Sequence, residues 1–342
     1  MTRPGVRPPG RARPLLLLAV GAGTVLIAGP AGAAPADSAP RAPSASEAAA
    51  LELLGNAARA ARTRAWTGSQ YVASWRDGIV SSGMLEVRHD PRTGTRVRDM
   101  SGDGASTLPP GALDEHLLVR LADRYALAVS GSGTCSGRRA DVVEARRPDG
   151  RVAGRFWLDR DTGLTLRREV WDPQGRQLRS SAFVNLEVGP DNPAALPARA
   201  VWLGGAPEGA GWVPPAELPG GYALFEAARP ARAGGAVLHL AYSDGLSTVS
   251  VFSQPGRLGD TPRSGFTPAT IGRTAVWVHT GTPERVVWGG AGQVFTMVSD
   301  AGHQDLVAAV RALPRDDAPD GGALARLRRG LSRVGSWLDL RA

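Results

Sequence analysis

The chain has 342 residues and a formal net charge of +8, with arginine as its only basic side chain apart from histidine and Cys135 as its single cysteine. That length holds two ordinary domains, and one cysteine excludes an intramolecular disulfide, so an exported fold has to rest on its own core. The charge alone would favour nucleic acid; however, Arg3, Arg7, Arg11 and Arg13 supply half of it from a leader, and the lysine-free, Ala-, Gly- and Pro-rich composition reads as a codon bias, so no nucleic-acid partner is expected.

Those four arginines precede an apolar run from Leu15 to Ile27 and the small-residue sequence Ala31-Gly32-Ala33. Positive, apolar, small is the layout of a secretory signal peptide, here residues 1–33. The run is shorter than the roughly 20 residues that span a bilayer, though an uncleaved anchor from Leu15 to Ala34 stays open. Residues 34–46 are an Ala/Pro/Ser lead-in. Ser44 and Glu47 then form a capping-box pattern, and Ala50, Leu51, Leu54, Ala57, Ala58 and Ala61 share one face, predicting a helix over 46–62.

From Trp66 the period changes to two. Thr67–Trp75 and Ile79–His89 read as strands joined by a turn at Arg76-Asp77-Gly78. Similar Asp/Pro-with-Gly punctuation recurs at 90–94, 148–150, 159–163 and 172–175, so a meandering antiparallel sheet is expected, interrupted by a helix around Leu113–Tyr125. This first domain is placed at 47–189. A Pro/Gly/Ala-rich linker spans 190–211. A second domain, 212–313, has strands near Ala236–Tyr242, Thr248–Ser253, Thr274–Thr280, Arg285–Trp288 and Gln293–Val298, and a closing helix over Gln304–Leu313.

The chemistry-bearing residues point away from catalysis. Histidines 89, 116, 239, 279 and 303 lack the spacing of metal ligands, and no metal or cofactor is expected. Gly133-Thr134-Cys135-Ser136-Gly137 has the outline of a nucleophile elbow, but Arg138–Glu144 alternates like a strand where an elbow needs a helix. It reads as a hairpin loop carrying an incidental thiol, and the chain is expected to bind rather than catalyse. Tryptophans are most often core or sheet-face residues. A sheet curled round helices can still leave an apolar cavity, and Trp66, Trp75, Trp157 and Trp171 are its candidate lining.

Two segments carry a family resemblance. Arg155-Phe156-Trp157-Leu158-Asp159-Arg160-Asp161-Thr162-Gly163-Leu164, continuing through Arg167, Asp172 and Gly175 to Phe183, resembles a W-x-D-x-x-T-G-L hairpin. Tyr242-Ser243-Asp244-Gly245-Leu246-Ser247-Thr248-Val249-Ser250-Val251-Phe252 resembles a strand–turn–strand with S-D-G-L at its centre. Together they look like the RseB/MucB family of exported regulators of extracytoplasmic-function sigma factors, over about residues 47–313. The resemblance implies an α+β architecture: a large LolA-like half-open antiparallel β-barrel with helices in its concave face, then a smaller antiparallel α+β domain. It also implies a periplasmic or extracytoplasmic negative regulator. Such a protein binds the extracytoplasmic domain of a single-span anti-sigma factor, shields it from regulated proteolysis, and senses a lipid or lipoprotein signal of envelope stress. Tyr242, Ser243, Asp244, Gly245 and Leu246 are then the candidate partner-binding residues. The alternative is a lipid or lipoprotein carrier that uses the large domain's cavity.

The resemblance stops at Pro314. In the tail, 314–342, Leu324, Leu327, Leu331, Val334 and Leu338 follow 3-4-3-4 spacing beside Trp337, with Arg326, Arg328, Arg329 and Arg333 largely off that stripe. A basic amphipathic helix of this kind can lie on an anionic membrane surface or dock on a partner, and the alternatives are a helix packed on its own domain or a frayed tail.

Overall fold

The computed structural model describes residues 44–76, 78–100, 115–191, 212–228, 237–259, 264–280 and 283–316. The expected leader, the linker from residue 192 onward and the tail residues Arg326, Arg328, Arg329, Arg333 and Trp337 lie outside the described residues.

Helix α1, Ala45–Thr63, starts where the capping box places it. The Ser44 hydroxyl accepts from the Glu47 N–H, and the Glu47 carboxylate accepts from the Ser44 N–H. Ala50, Leu54, Ala57 and Ala58 are its buried stripe, and their small size lets the helix lie close on a sheet. That sheet is made of β1 (Arg64–Arg76), β2 (Ile79–Asp90), β3 (Gly94–Asp99), β4 (Ala126–Cys135), β5 (Arg138–Arg146), β6 (Val152–Asp159), β7 (Thr165–Trp171) and β8 (Gln177–Asp191), with α2 (Glu115–Arg124) between β3 and β4. The strand order is β3-β2-β1-β8-β7-β6-β5-β4 and every pairing is antiparallel. β3 and β4 stay apart as the two edges, so the barrel is half open.

The helices fill the concave side. Leu54 and Ala57 of α1 and Leu118 and Leu121 of α2 share one core with Leu127, Val143, Phe156, Leu158 and Val170 of the sheet. The first resembling motif explains how α1 is pinned. The Asp159 carboxylate accepts from Arg138 Nη2 at 2.8 Å and from Thr162. This fixes a turn in which Gly163, at φ +80°, packs against Asn56 and Ala60 of α1. A side chain at Gly163 would meet both the helix and a left-handed backbone.

The second sheet contains β9 (Glu217–Leu218), β10 (Tyr222–Ala228), β11 (Leu238–Ser243), β12 (Thr248–Pro255), β13 (Thr267–Ile271), β14 (Thr274–His279), β15 (Glu284–Gly290) and β16 (Gln293–Ser299), with α3 (His303–Ala312) against it. Its order is β13-β14-β15-β16-β12-β11-β10-β9. Trp288 stacks on Phe295 with centroids 5.2 Å apart, at the centre of a core closed by Leu306, Ala309 and Val310 of α3. The architecture is therefore α+β, with a half-open antiparallel first sheet that holds helices in its concave side. β9, β10 and β13 were not anticipated. Two residues are too few for a period, Tyr222–Ala228 keeps one buried position followed by six half-buried ones, and Thr267–Ile271 is exposed at four of five positions.

Candidate functional site

The S-D-G-L segment forms the turn between β11 and β12, and this turn is plugged into the first sheet. Leu246 is 2% exposed and belongs to the core that α1, α2 and the first sheet enclose. Gly154 of β6 makes the socket, since a Cβ there would sit 2.5 Å from Leu246 Cδ2. Gly245 has φ +91°, and a Cβ on it would be 2.6 Å from the Leu121 backbone nitrogen. Only glycine fits there on both counts.

The polar half of the turn satisfies itself from both sides. Asp244 Oδ1 accepts from the backbone N–H of Leu246 at 2.9 Å and of Ser247 at 2.7 Å, and Oδ2 accepts from the Tyr125 hydroxyl at 2.7 Å. Ser243 donates to the Ser247 carbonyl at 2.7 Å and accepts from the Gly245 N–H at 2.9 Å. Two buried arginines of the first sheet close on the Leu246 carbonyl: Arg168 of β7, and Arg179 of β8 at 3.4 Å. Arg179 also pairs with Asp300, whose Oδ1 accepts from the Thr248 N–H at 2.6 Å. Burial lowers the Arg168 guanidinium to about 10, and burial together with the Arg168 charge lowers Arg179 to about 9. The Tyr125 hydroxyl is pushed up by burial and by the facing Asp244 charge. A bridge from Arg76 of β1 to Glu284 of β15 adds a second link between the sheets.

The five residues expected to meet a partner are thus brought together, but inward. Tyr242, Ser243, Asp244 and Leu246 are each less than a tenth exposed. In this chain they make an internal contact, because a leucine flanked by a glycine at positive φ is shaped to enter a core. Sequence reasoning missed Arg168, Arg179 and Tyr125, which read as ordinary strand and helix-end residues.

The tryptophans divide. Trp66 lies on the helix side, edge-on to Phe183 at 5.6 Å, with its indole N–H donating to Ala61 at the end of α1. Trp157, one residue from Phe156 and Leu158 in β6, points to the opposite face by strand alternation. There Arg167 lies 4.7 Å from its ring, and Arg155 lies 5.8 Å from it and 5.4 Å from Trp171. Trp75 and Trp171 line a cavity of about 430 Å³, which opens at the seam between the two sheets rather than inside the first. Its polar lining includes Arg147, Arg179, Asp244 and Asp305. Burial pushes the Asp305 carboxyl up against the pull of the Tyr222 hydroxyl, which donates to it at 3.2 Å. Among the described residues no group of histidine, cysteine, aspartate and glutamate is placed to hold a metal. Cys135 ends β4 at a two-residue turn, Ser136-Gly137, both at positive φ, with β5 following where an elbow requires a helix.

Residues 100–201 match the family model described as the MucB/RseB N-terminal domain. Over these residues the chain is similar to that family's N-terminal domain. The matched segment holds α2, β4 to β8 and both buried arginines, and so includes the residues that receive the plug. Among solved structures, the chain is similar to the Pseudomonas aeruginosa MucA/MucB complex at 22% identity, covering 78% of this chain and 99% of that one with a TM-score of 0.39. It is similar to a crystal structure of MucB at 22% identity, 77% and 97% coverage and a TM-score of 0.44. A LolA superfamily protein from Nitrosomonas europaea matches at 8% identity, 79% and 95% coverage and a TM-score of 0.19. No curated protein matches the chain. No helix among the described residues is long and apolar enough to cross a membrane.

Proposed function

We propose that this chain is an exported negative regulator that binds the extracytoplasmic segment of a single-span anti-sigma factor, shields it from regulated proteolysis, and yields to a lipid or lipoprotein signal. The observation that carries the reading is the MucB/RseB match over residues 100–201, supported by a second sheet keyed into that domain through Leu246. A plain carrier needs the first domain alone, whereas a buried plug with two buried arginines couples the two domains mechanically. The seam cavity with Trp75 and Trp171 is where a signal amphiphile is best placed to act on that coupling. The test is calorimetric titration of the exported chain with the extracytoplasmic segment of the anti-sigma factor, followed by timed cleavage of that segment by a site-one-type protease. Binding with at least tenfold slower cleavage is expected. Absence of binding sinks the reading.

The tail extends the proposal. As a helix, residues 323–340 would set Leu324, Leu327, Leu331, Val334, Leu338 and Trp337 against an anionic surface. Arg326, Arg328, Arg329 and Arg333 would each contribute on the order of 1 kcal/mol at low salt. This would hold the regulator beside its membrane-spanning partner and raise its effective concentration. Anionic liposomes are expected to float the full chain and to leave behind a chain lacking 321–342. Equal flotation of the two rules the role out.

A further inference from the structure

The second sheet has two unlike faces. Val286, Trp288, Phe295 and Met297 point to the α3 side and build its core. α3 lies close to both edge strands, β9 and β13, so the sheet curls around it and the other face is convex. One row of side chains crosses five strands of that convex face. Trp277 of β14 is registered with Val287, Val287 with Thr296, Thr296 with Phe252, and Phe252 with His239. Val294 and Val298 flank Thr296 on the same side of β16. The row is half-buried, and its apolar members belong to neither core. Its one titratable group, His239, is stacked on Phe252 with centroids 4.5 Å apart. An uncharged apolar row of this width is what a further layer covers.

The chain itself is led to this face. Pro314 lies over Gly290 on the α3 side, where a Cβ on the glycine would strike the Pro314 carbonyl. Gly289 points the opposite way by strand alternation, and a Cβ there would stand 3.9 Å from the Asp316 carboxylate. Between Pro314 and Asp316 the backbone therefore crosses from one side of the sheet to the other at the end of β15. It is held in that crossing by the Asp316 N–H on the Gly289 carbonyl at 2.9 Å and by the Ala291 N–H on the Asp316 carboxylate at 3.2 Å. Seven residues, 317–323, then lead to the stripe of Leu324, Leu327, Leu331, Val334 and Leu338. Extended, those seven reach roughly 23 Å. As a helix the stripe is about 21 Å long. From β14 to β11 the sheet measures roughly 19 Å at the usual strand spacing.

We infer that residues 324–338 dock as a helix on this convex face when the protein is away from a membrane. The aliphatic stripe lies on the Trp277–Phe252 row, and Arg326, Arg328, Arg329 and Arg333 are turned to water. The inference is independent of the anti-sigma-factor reading. It adds a step to the membrane role of the tail, because the stripe has to leave the sheet before it meets lipid. Sheet and membrane then compete for one surface.

The experiment is hydroxyl-radical footprinting of the whole exported chain in lipid-free buffer, comparing wild type with the double variant Leu327→Asp/Leu331→Asp. Both substitutions lie outside the two cores, and unchanged slow oxidation of buried Trp288 verifies that the fold is intact. Trp277 and Phe252 are expected to be oxidised at least threefold faster in the variant. Equal rates in the two forms overturn the inference: if low, another segment covers the row, and if high, nothing does. Slow oxidation of wild type that is lost on tenfold dilution gives the row to the tail of a second copy and overturns it as well. So does protection that appears only when the anti-sigma segment is added. Liposome flotation decides the membrane role separately, so the two readings of the tail fail independently.

Discussion

At the scale of single residues, the molecule is explained by a few side chains that are costly where they stand. Arg168 and Arg179 are charges taken out of water. They persist because the Leu246 carbonyl, Asp300 and the field of Asp244 meet them. Asp305 has the same problem with fewer helpers. Burial raises its folded-state pKa above the ordinary aspartate value, so ionisation at neutral pH costs folding free energy. That cost is relieved as pH falls through the raised value, because the folded state then binds its proton before the unfolded chain does. Wild type is therefore expected to gain stability relative to Asp305→Asn as pH is lowered from 7 toward 4. Urea unfolding of both forms across that range checks it, and a gap independent of pH would contradict the sign.

At the scale of elements, the sequence was legible wherever local chemistry is periodic. α1 lies within one residue of its expected bounds at either end, because Ser44 and Glu47 cap it and its alanines fall on one stripe. The β1–β2 hairpin and the turns at 159–163 and 172–175 follow from Asp–Gly punctuation, since Gly163 and Gly175 both adopt φ +80°. What could not be read were positions whose role comes from another element. Nothing local says that Leu246 enters the core of a distant sheet, or that Trp157 faces away from the helices while Trp66 faces them. The segment after α3 is a further case. Pro314–Asp316, assigned in sequence to a separate tail, is strapped over the β15–β16 hairpin. The Trp288 indole donates to the Pro314 carbonyl at 2.9 Å, and the Asp316 N–H donates to the Gly289 carbonyl at 2.9 Å. Gly290 makes room, because a Cβ there would lie 2.3 Å from the Pro314 oxygen. Gly290→Ala should lift the strap, orphan the Trp288 N–H and cost roughly 1–3 kcal/mol. Limited proteolysis is expected to cut near 314–316 several times faster, and an unchanged rate would refute the strap.

At the scale of the whole molecule, the described residues between 44 and 316 belong to one compact unit, although two sheets with separate cores lie within it. Among the described residues, the joint between them includes the plug, the two arginines that hold its carbonyl, the Tyr125–Asp244 hydrogen bond and the Arg179–Asp300 and Arg76–Glu284 bridges. A polar joint is strong when complete and fails when one member is removed, because the charges left behind stay buried. Asp244 is the member on which most depends. It caps its own turn through Leu246 and Ser247, receives the Tyr125 hydroxyl, and its charge favours the protonated state of both buried arginines. Asp244→Ala should therefore cost on the order of 3–5 kcal/mol at the seam while leaving the Trp288–Phe295 core and the α1–Phe156 core untouched. The expected signature is a change in cooperativity and not merely a lower midpoint. Scanning calorimetry of wild type should give one transition, and of Asp244→Ala two, as each sheet unfolds on its own core. Anti-sigma-factor binding should weaken in the same variant, since a partner that needs both domains must then restore their joint from its own binding energy. A single transition merely shifted to lower temperature would mean that the seam is a passive contact, and that the plug does not couple the domains.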